Sequence, residues 1–346
     1  MKTLIFNTST ENETKDALLY CRELIRSGDL VCFPTETVYG LGANALDAEA
    51  VMKIFRVKNR PANNPLIAHI SDYEMIHQIV PNVPREIEEL AKTFWPGPLT
   101  IVLPRNDRIP DVVSAKLDTV AVRCPDHPIA RALIREAGVP IVAPSANLSG
   151  KPSPTCLEHC IHDLQGKVGA IINGGNCSIG LESTVIAPLG NRRLKLLRPG
   201  GITVDMLEAV GFDVLLDPAI LAPVQEGQSV SSPGMLYRHY APKAPMTIVT
   251  GGYDAVCDAI RSRSDASTWV LAFDEYLDRF PQALSFGSIN DPLSQSRALF
   301  DALRKFDELP CKKIYAMYPD EDGVGLAIRN RLLRAASFQI VSAERL

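Results

Sequence analysis

The sequence has 346 residues, of which 46% are hydrophobic and 22% charged, and its mean hydropathy is +0.03. This composition excludes a chain that is disordered throughout, and the length favours two domains over one. The 36 basic and 40 acidic residues give a net charge of -4, which excludes a protein whose whole surface binds nucleic acid or anionic lipid. A polyanionic ligand would therefore have to bind in a local positive pocket.

The first residues, MKTLIFNTSTENE, contain only a short apolar run and no small-residue cleavage pattern, so they do not resemble a signal peptide. No segment is long and apolar enough to span a membrane, and we expect a cytoplasmic protein.

The eight cysteines are scattered, and we interpret them as reduced thiols. Cys156, His159, Cys160 and His162 could form half of a metal site, but a packed helix is favoured because no second ligand pair has zinc spacing.

The N-terminal part of the chain predicts strands that lead into loops. Residues 3–6 predict a strand, residues 14–27 an amphipathic helix closed by Gly28, and residues 30–33 a core strand. Residues 34–42, PTETVYGLG, follow as a turn with several hydroxyls and two glycines. Such a turn can present hydroxyl and backbone donors to a ligand. A tight turn whose threonines bond only to their own backbone is an equally good interpretation.

The stretch KNRPANNPLIAHI, residues 58–70, is the segment around which the rest of the chain is organised. It ends a helix capped by Asp47, whose charged residues, Lys58 among them, are predicted to extend outward. The proline that follows Arg60 biases that residue toward an extended conformation, and residues 66–70 predict a buried strand. Cations held between a helix end and a core strand point in a fixed direction, unlike cations on a solvated helix face. We therefore expect an anion beside them, most simply a phosphate chain.

The rest of the first half predicts more strands and helices without strict alternation, which favours a mixed α/β sheet. Further helices are predicted over residues 72–80, 84–94, 128–137 and 203–211, and further strands over residues 99–103, 119–124, 139–143, 168–173, 182–186 and 194–200. One of these strands carries Arg123, and a buried arginine needs an anionic partner. That partner would be either a ligand or a structural Asp or Glu. Residues 144–154, rich in Ser, Asn, Gly and Pro, form a second candidate ligand loop.

The C-terminal part predicts a linker and a second domain. Residues 213–245 lose periodicity and are rich in proline, glycine and serine. Within them, residues 235–242 (MLYRHYAP) group aromatic and cationic side chains and are expected to dock against the rest of the protein. Strands and helices then alternate over residues 246–346 and predict a small Rossmann-like α/β domain. The predicted domains are therefore 1–212 and 246–346, with the linker between them.

The motifs narrow the chemistry. The sequence has no P-loop, no G-x-S-x-G nucleophile elbow and no H-E-x-x-H zinc motif. Strand-end loops instead bring hydroxyls near cations, which suits a polyanionic substrate that is held and polarised without a covalent enzyme intermediate. These residues are Thr35, Thr37, Ser145, Ser153 and Ser183, with Lys58, Arg60, Arg123 and Arg198. The chemistry of these residues alone does not specify the substrate or the reaction.

Six motifs, in order within residues 5–205, resemble those of the YrdC-like family. They are PTETVYGL (34–41), KNRP (58–61), WPGPLT (95–100), VR (122–123), PSAN (144–147) and EST (182–184). The K-x-R and S-x-N pair is the signature of that family. SPGM (232–235) and HYAP (239–242) resemble the linker of its long, two-domain form. The resemblance implies a mixed twisted sheet with a concave ligand site, and a linker that closes over that site.

The resemblance implies synthesis of L-threonylcarbamoyladenylate and pyrophosphate from L-threonine, bicarbonate and ATP, which is a nucleotidyltransferase reaction. The product would serve the threonylcarbamoyladenosine (t6A) modification at position 37 of tRNAs that read ANN codons. The implied cofactor is Mg²⁺, carried by ATP and not by protein side chains. The implied partner is a downstream tRNA-threonylcarbamoyl transferase complex, and direct binding of tRNA is left open. Lys58, Arg60, Arg198 and Mg²⁺ would offset the repulsion among the anionic substrates.

The resemblance also assigns residues to the substrates. Lys58 and Arg60 are the expected catalytic residues, with Lys58 at the phosphate and bicarbonate end. ATP would be bound by Arg60, Asn64, Thr119, Ser145, Asn147, Ser153, Arg198 and Tyr237. Threonine would be bound by Thr35, Thr37, His69, Arg123, Ala143 (through its backbone) and Ser183. Tyr237, or its neighbours His239 and Tyr240, would close over the nucleotide.

Two other functions fit part of the sequence. A carbamoyl-adenylate step of the hydrogenase-maturation kind uses a similar domain, but its acylphosphatase-like and zinc-finger-like segments have no counterpart here. A double-stranded RNA-binding module could use the basic strip Lys53, Arg56, Lys58 and Arg60. The net acidic charge, and the core strand that follows the last two cations, disfavour it.

Overall fold

The computed structural model describes residues 2–222 and 240–346, which form two β-sheets with helices packed against them. The strands of the first sheet are β1 (Leu4–Asn7), β2 (Val31–Phe33), β3 (Gly40–Asn44), β4 (Ile67–His69), β5 (Leu99–Pro104), β6 (Thr119–Arg123), β7 (Ile141–Val142), β8 (Ala170–Asn173), β9 (Thr184–Gly190), β10 (Arg193–Arg198) and β11 (Asp213–Leu216). Those of the second are β12 (Met246–Thr250), β13 (Thr268–Ala272), β14 (Ala283–Ser285), β15 (Lys313–Met317) and β16 (Ile340–Ser342).

The helices share the same two regions. They are α1 (Glu11–Arg26), α2 (Ala48–Lys58), α3 (Arg85–Phe94), α4 (Asp111–Ser114), α5 (Pro128–Ala137), α6 (Leu157–Leu164), α7 (Val204–Ala209), α8 (Tyr253–Arg263), α9 (Pro292–Lys305) and α10 (Gly325–Ala335). Short 3₁₀ helices lie at Tyr73–Gln78, Pro218–Ile220, Asp274–Arg279 and Phe306–Glu308. The Asp47 cap predicted for α2 is present, because its side chain accepts hydrogen bonds from the backbone of Glu49 and Ala50.

The first sheet has the order β1-β8-β2-β3-β7-β4-β6-β5-β9-β10-β11 and mixes parallel with antiparallel pairs. Successive side chains of a strand point to opposite faces. Cys32 therefore lies in the core formed with α2 and α3, whereas Val31 and Phe33 lie in the core formed with α1 and α5. Apolar helix faces thus bury both sides of the central strands. The mixed α/β sheet predicted from the sequence is confirmed.

Two segments of this sheet differ from the prediction. Residues 40–42, predicted to belong to a turn, begin β3. Gly42 is needed there because a Cβ atom would lie 2.7 Å from Cε1 of Phe33 and 2.9 Å from Cγ2 of Ile141. Residues 213–216, predicted as linker, form β11 and pair in parallel with β10. A strand of only four residues at a sheet edge has too short a pattern to be recognised in the sequence.

The second sheet is entirely parallel, with the order β14-β13-β15-β12-β16. Parallel neighbours require crossover connections, and α8, α9 and α10 provide helices between strands, as expected for a Rossmann-like domain. Val38 and Leu181 from the first domain pack into the core of the second, together with Tyr240. The two domains therefore share a packed boundary. Residues 223–239, with the predicted Tyr237 and His239, lie outside the described residues.

Other features bear on the sequence-based expectations. Among the described residues, no helix is long and apolar enough to cross a membrane. All eight cysteines are free thiols. Helix α6 buries Cys160 in the core, whereas the His162 side chain is 64% exposed, which fits the packed-helix interpretation of this segment. The described residues contain no group of three or more His, Cys, Asp and Glu side chains arranged to hold a metal ion.

The close approach at Gly42 predicts a stability effect. We expect Gly42→Ala to lower the free energy of unfolding by about 1–3 kcal/mol, because the added methyl group must displace Phe33 or Ile141. Gly252→Ala is the matched control, since a Cβ atom there meets nothing within 4 Å. Urea unfolding of both variants checks the prediction. Equal losses in the two variants would contradict it.

Candidate functional site

A pocket lies where the loops after β2, β7 and α2 approach the ends of β4, β6 and β10. It encloses about 700 Å³ of space, its open mouth included, which is the size of a small-molecule site. The predicted residues that line it are Thr37, Lys58, Arg60, His69, Arg123, Ala143, Ser145, Asn147, Ser183 and Arg198. Motifs that are far apart in the sequence therefore converge on one cavity.

Lys58 is the last residue of α2 and is only 2% exposed, so the prediction that its side chain extends outward is wrong. Asn59, in the left-handed conformation at φ 51°, ends the helix and turns the chain. The Lys58 Nζ donates to the backbone carbonyls of Ser145 and Asn147. Burial, and after it the charge of Arg60, lowers the pKa of the Lys58 ammonium to about 7. A neutral amine keeps two N–H groups and satisfies both carbonyls as well.

Arg60 follows Asn59 and lies between the end of α2 and β4. Its Nη2 donates at 3.3 Å to the carbonyls of both Asn64 and Pro65, and its buried Nε has no partner among the described residues. Asn64 is 2% exposed and lies outside the pocket lining, and its Oδ1 is also without a partner in the described part of the chain. Burial lowers the pKa of Arg60 to about 10, which still leaves it charged at neutral pH.

Arg123 is 4% exposed at the end of β6, and its buried partner is Glu36. The Nη2 of Arg123 lies 2.7 Å from Oε1 of Glu36, so the structural carboxylate is the alternative that the structure supports. Its Nη1 donates to Oγ1 of Thr37 at 2.8 Å. Thr37 also lies 2.8 Å, Oγ1 to Oγ1, from Thr35, which is itself outside the lining. Thr35 therefore positions Thr37 from behind.

His69 ends β4 and is 3% exposed. Its Nδ1 lies 3.2 Å from the carbonyl oxygen of Ile67, and its ring meets the ring of Phe33 edge-on, with centroids 6.4 Å apart. Burial, and then the charge of Arg123, lowers the pKa of His69 to about 3. The imidazole is therefore neutral, with one N–H and one acceptor nitrogen available for hydrogen bonds.

The loop over residues 144–149 forms the wall opposite these strands. Its backbone is held from both sides, because Leu41 donates to the carbonyl of Pro144 and Ser149 donates to the carbonyl of Lys58. The Oγ of Ser145 donates to Oδ1 of Asn147 at 2.6 Å. The loop therefore presents a hydroxyl and an amide that are already oriented.

Arg198 and Ser183 form the third side of the pocket. The Nε of Arg198 donates to the Ser183 carbonyl at 3.0 Å and its Nη2 to the Ser183 hydroxyl at 3.1 Å. Burial, and then the charge of Arg331, lowers the pKa of Arg198 to about 10. The predicted Ser153 lies behind this wall, fully buried, and donates to Oε1 of Glu182 at 2.5 Å.

Among the described residues, three predicted ATP residues lie outside the lining, because Thr119 joins Asn64 and Ser153 there. Thr119 begins β6 and Arg123 ends it, so about 13 Å of strand separates them. Tyr237 belongs to the residues that the structure does not describe. Tyr240, one of its neighbours, is described and lines the pocket, where its hydroxyl is held at a pKa of about 12 by burial and then by the charge of Glu182.

Sequence reasoning missed three charged residues at this site. Glu36 and Glu182 lie within the PTETVYGL and EST motifs. Nothing in the sequence indicates, however, that a carboxylate beside an expected anion site is already paired with an arginine. Although burial alone would raise it, the charges of Arg331 and Arg198 and two hydrogen bonds lower the pKa of Glu182 to about 2. Arg331 comes from α10 in the second domain, and no local pattern links it to the pocket. Within the described residues, Glu182 is the only carboxylate in the lining, so the pocket is locally positive.

Comparison with known proteins agrees with this arrangement. The Sua5_yciO_yrdC family model, described as "Telomere recombination", matches residues 23–200. The chain belongs to the Sua5/YciO/YrdC family. A second model, described as "Threonylcarbamoyl-AMP synthase, C-terminal domain", matches residues 202–337. The resemblance to the YrdC-like family in its long form is thereby confirmed.

The similarity to individual family members covers nearly the whole chain. The chain is 44% identical over 323 residues to the threonylcarbamoyl-AMP synthase of Bacillus subtilis, covering 92% of each protein. It is also 44% identical to the enzyme of that name from Pyrococcus abyssi, covering 92% of this chain and 93% of the other. The crystal structure of P. abyssi Sua5 complexed with L-threonine aligns with a TM-score of 0.90 and 41% identity over 99% of both chains. The two-domain fold is therefore that of the Sua5 structures.

Lys58 should link stability to pH. Its pKa is about 7 in the folded protein, against about 10.4 for an exposed lysine. Below pH 7 both states hold the proton, and folding carries the full cost of burying the charge. Between these two values the unfolded state binds the extra proton, so stability rises with pH.

We therefore compare unmodified protein with Lys58→Met by urea unfolding over this range. Their difference in unfolding free energy should shift in favour of the unmodified protein by roughly 1 kcal/mol per pH unit between about pH 7.5 and 9.5. A difference that stays constant with pH would contradict a depressed lysine pKa.

Proposed function

We propose that this protein makes threonylcarbamoyl-AMP (L-threonylcarbamoyladenylate) and pyrophosphate from L-threonine, bicarbonate and ATP, for t6A formation at position 37 of tRNAs reading ANN codons. The observation that carries this proposal is a locally positive pocket in a net acidic protein, with Lys58, Arg60 and Arg198 directed at one cavity. The names of the relatives from B. subtilis and P. abyssi, and the threonine complex of P. abyssi Sua5, support it. In this proposal the protein is a nucleotidyltransferase.

The proposed reaction has two steps. The neutral amine of threonine attacks the carbon of bicarbonate, which forms a C–N bond, releases water and leaves N-carboxythreonine. An oxygen of that carbamate then attacks the α-phosphorus of ATP. The bond from the α-phosphorus to its bridging oxygen breaks, and the electron pair leaves with pyrophosphate. Because the carbamate is short-lived in water, holding it beside ATP supplies much of the rate.

We assign the phosphates of ATP to the side of the pocket that carries Arg60 and Arg198. Both side chains are bonded to carbonyl oxygens, which leaves their positive charge available to an anion. Lys58 adjoins them, and phosphate charge would raise its pKa and return its proton. Ser145, Asn147, Ser153, Asn64 and Thr119 stay predicted ATP residues, with Ser153 acting through Glu182.

We assign threonine to the side of the pocket formed by Thr37, His69, Arg123 and Ser183, with the backbone of Ala143. Arg123 has hydrogen-bonding capacity for the substrate carboxylate, and the neutral His69 suits a hydroxyl. A site built to bond that hydroxyl penalises analogues that lack it. Selectivity for threonine would follow from these buried polar groups.

Mg²⁺ in this proposal enters with ATP as part of the substrate. Glu182, the one carboxylate among the described lining residues, is already bonded to Ser153 and Arg331. The downstream transferase complex as partner, and a cytoplasmic location, stay predictions from the sequence.

The structure disfavours the double-stranded RNA-binding alternative, because the four cations of the basic strip do not form one exposed surface. Of its four cations, Lys53 and Arg56 are exposed, but Lys58 is buried and Arg60 lies in the pocket wall. A duplex binds through phosphate contacts with a continuous basic surface, which two exposed cations do not provide.

The proposal predicts threonine-dependent chemistry. Purified protein with ATP, Mg²⁺, threonine and bicarbonate should release pyrophosphate, and omission of threonine should stop the release. Coupled pyrophosphate detection, with chromatography of the adenylate, measures both. Threonine-independent release, or tight binding of double-stranded RNA without adenylate formation, would refute the assignment.

Arg60 allows a matched comparison with Arg56. Arg60→Met should lower the rate of pyrophosphate release by at least about 100-fold, because a charge aimed at the phosphates is lost. Arg56→Met removes an exposed arginine of α2, the helix that ends just before Arg60, and should stay within about twofold. Equal rates in the two variants would show that Arg60 does not act on the substrate. Lys58→Ala suits this test less well, because it also leaves two buried carbonyls without their donor, at a cost of about 1–3 kcal/mol.

A further inference from the structure

Arg331 of the second domain is among the largest side chains that are completely buried in this protein. It reaches from α10 into the first domain and bonds to the wall of the pocket there. Its Nε lies 2.8 Å from Oε2 of Glu182, and its Nη1 donates to the carbonyl of Pro199 at 3.1 Å. The second domain therefore binds the carboxylate in the pocket lining and the residue that follows Arg198.

The two segments that Arg331 contacts, one just before β9 and one just after β10, pack tightly against each other. A Cβ atom on Gly200 would lie 2.3 Å from the backbone nitrogen of Thr184 and 2.6 Å from the carbonyl oxygen of Glu182. The chain after β10 thus packs directly on the chain before β9, with no room for a side chain between them. A shift of Glu182 or Pro199 would move Ser183 and Arg198 with it.

The charges explain why an arginine is needed here. Glu182 is bonded to Arg331 of the second domain, shares the pocket lining with Arg198, and feels the positive charge of both. Its other oxygen accepts from Ser153. Without Arg331, the nearby positive charge for Glu182 would be that of Arg198. Glu182 and the phosphates of a ligand would then compete for Arg198. As a buried carboxylate without its own cation, Glu182 would also repel the phosphates.

We propose that Arg331 is a positioning residue for the nucleotide, which neutralises Glu182 so that Arg198 stays free for the ligand's phosphates. The second domain would thereby complete the ATP site of the first. This inference rests on the proposed function, and it names a role for the second domain in that same site.

The test uses the full chain and four substitutions. Arg331→Met should raise the KM for ATP, and the dissociation constant for ATP measured by calorimetry, by about tenfold or more, with a much smaller change in the KM for threonine. Arg331→Lys keeps the charge and should recover part of the loss. The double variant Glu182→Gln with Arg331→Met should bind ATP more tightly than Arg331→Met alone, because the unpaired carboxylate is gone.

Arg297→Met is the control for loosened contact between the domains, since exposed Arg297 also crosses the boundary, donating to the carbonyl of Ser178 at 2.6 Å. It should leave ATP affinity unchanged. The inference is overturned if Arg331→Met lowers the unfolding midpoint while folded protein binds ATP normally. It is also overturned if the double variant binds ATP no better than Arg331→Met. Calorimetry with ATP alone needs no turnover, so failure of threonine-dependent release would count against the proposed function and not against this role.

Discussion

The constraint on which this site depends is that more cations than carboxylates are buried around one cavity, and that three of these cations are hydrogen-bonded to uncharged oxygens. Lys58 and Arg60 are held by backbone carbonyls, and Arg198 by the carbonyl and hydroxyl of Ser183. Carbonyl oxygens satisfy the donors but carry no full charge, so the electrostatic attraction for an anion is retained. The lowered pKa of each cation shows the cost of this burial, which a phosphate chain would offset on binding.

The mixed sheet provides the carbonyls at the right places. Strand β7 runs antiparallel to both β3 and β4, so its C-terminal end delivers the 144–149 loop beside α2. There the loop carbonyls meet Lys58, and backbone bonds from Leu41 and to the carbonyl of Lys58 fix the loop at both ends. A strictly alternating parallel sheet would have no antiparallel strand at this position. The irregular strand order is therefore what brings the cation and its acceptors together.

Much of this could be predicted from the sequence, and the failures have physical reasons. The helix around Val51 and Ile54 follows from periodic burial, and the Rossmann-like second domain from the alternation of strand and helix patterns, both of which a sequence displays directly. Lys58 was predicted to point outward because helical periodicity does not reveal acceptors that lie 87 and 89 residues further along the chain. The pairing of Glu36 is not predicted for the same reason, because only the folded sheet brings its partner Arg123 close to it. Local patterns therefore identify elements and motif residues, whereas the pairing of buried charges is a property of the tertiary structure.

Glu182 shows how far such pairing extends. A buried carboxylate in an anion site is unfavourable unless cations outnumber it, and in this pocket wall the second cation belongs to another domain. The carboxylate in turn fixes the Ser153 hydroxyl, and its neighbour Ser183 fixes Arg198. The charge balance of the first domain's pocket is thus set partly by α10, about 150 residues away in sequence. If Arg331 acts as proposed, packing of the two domains and the affinity of the pocket for anions are thermodynamically coupled, since withdrawal of Arg331 from Glu182 would also change the charge that Arg198 presents.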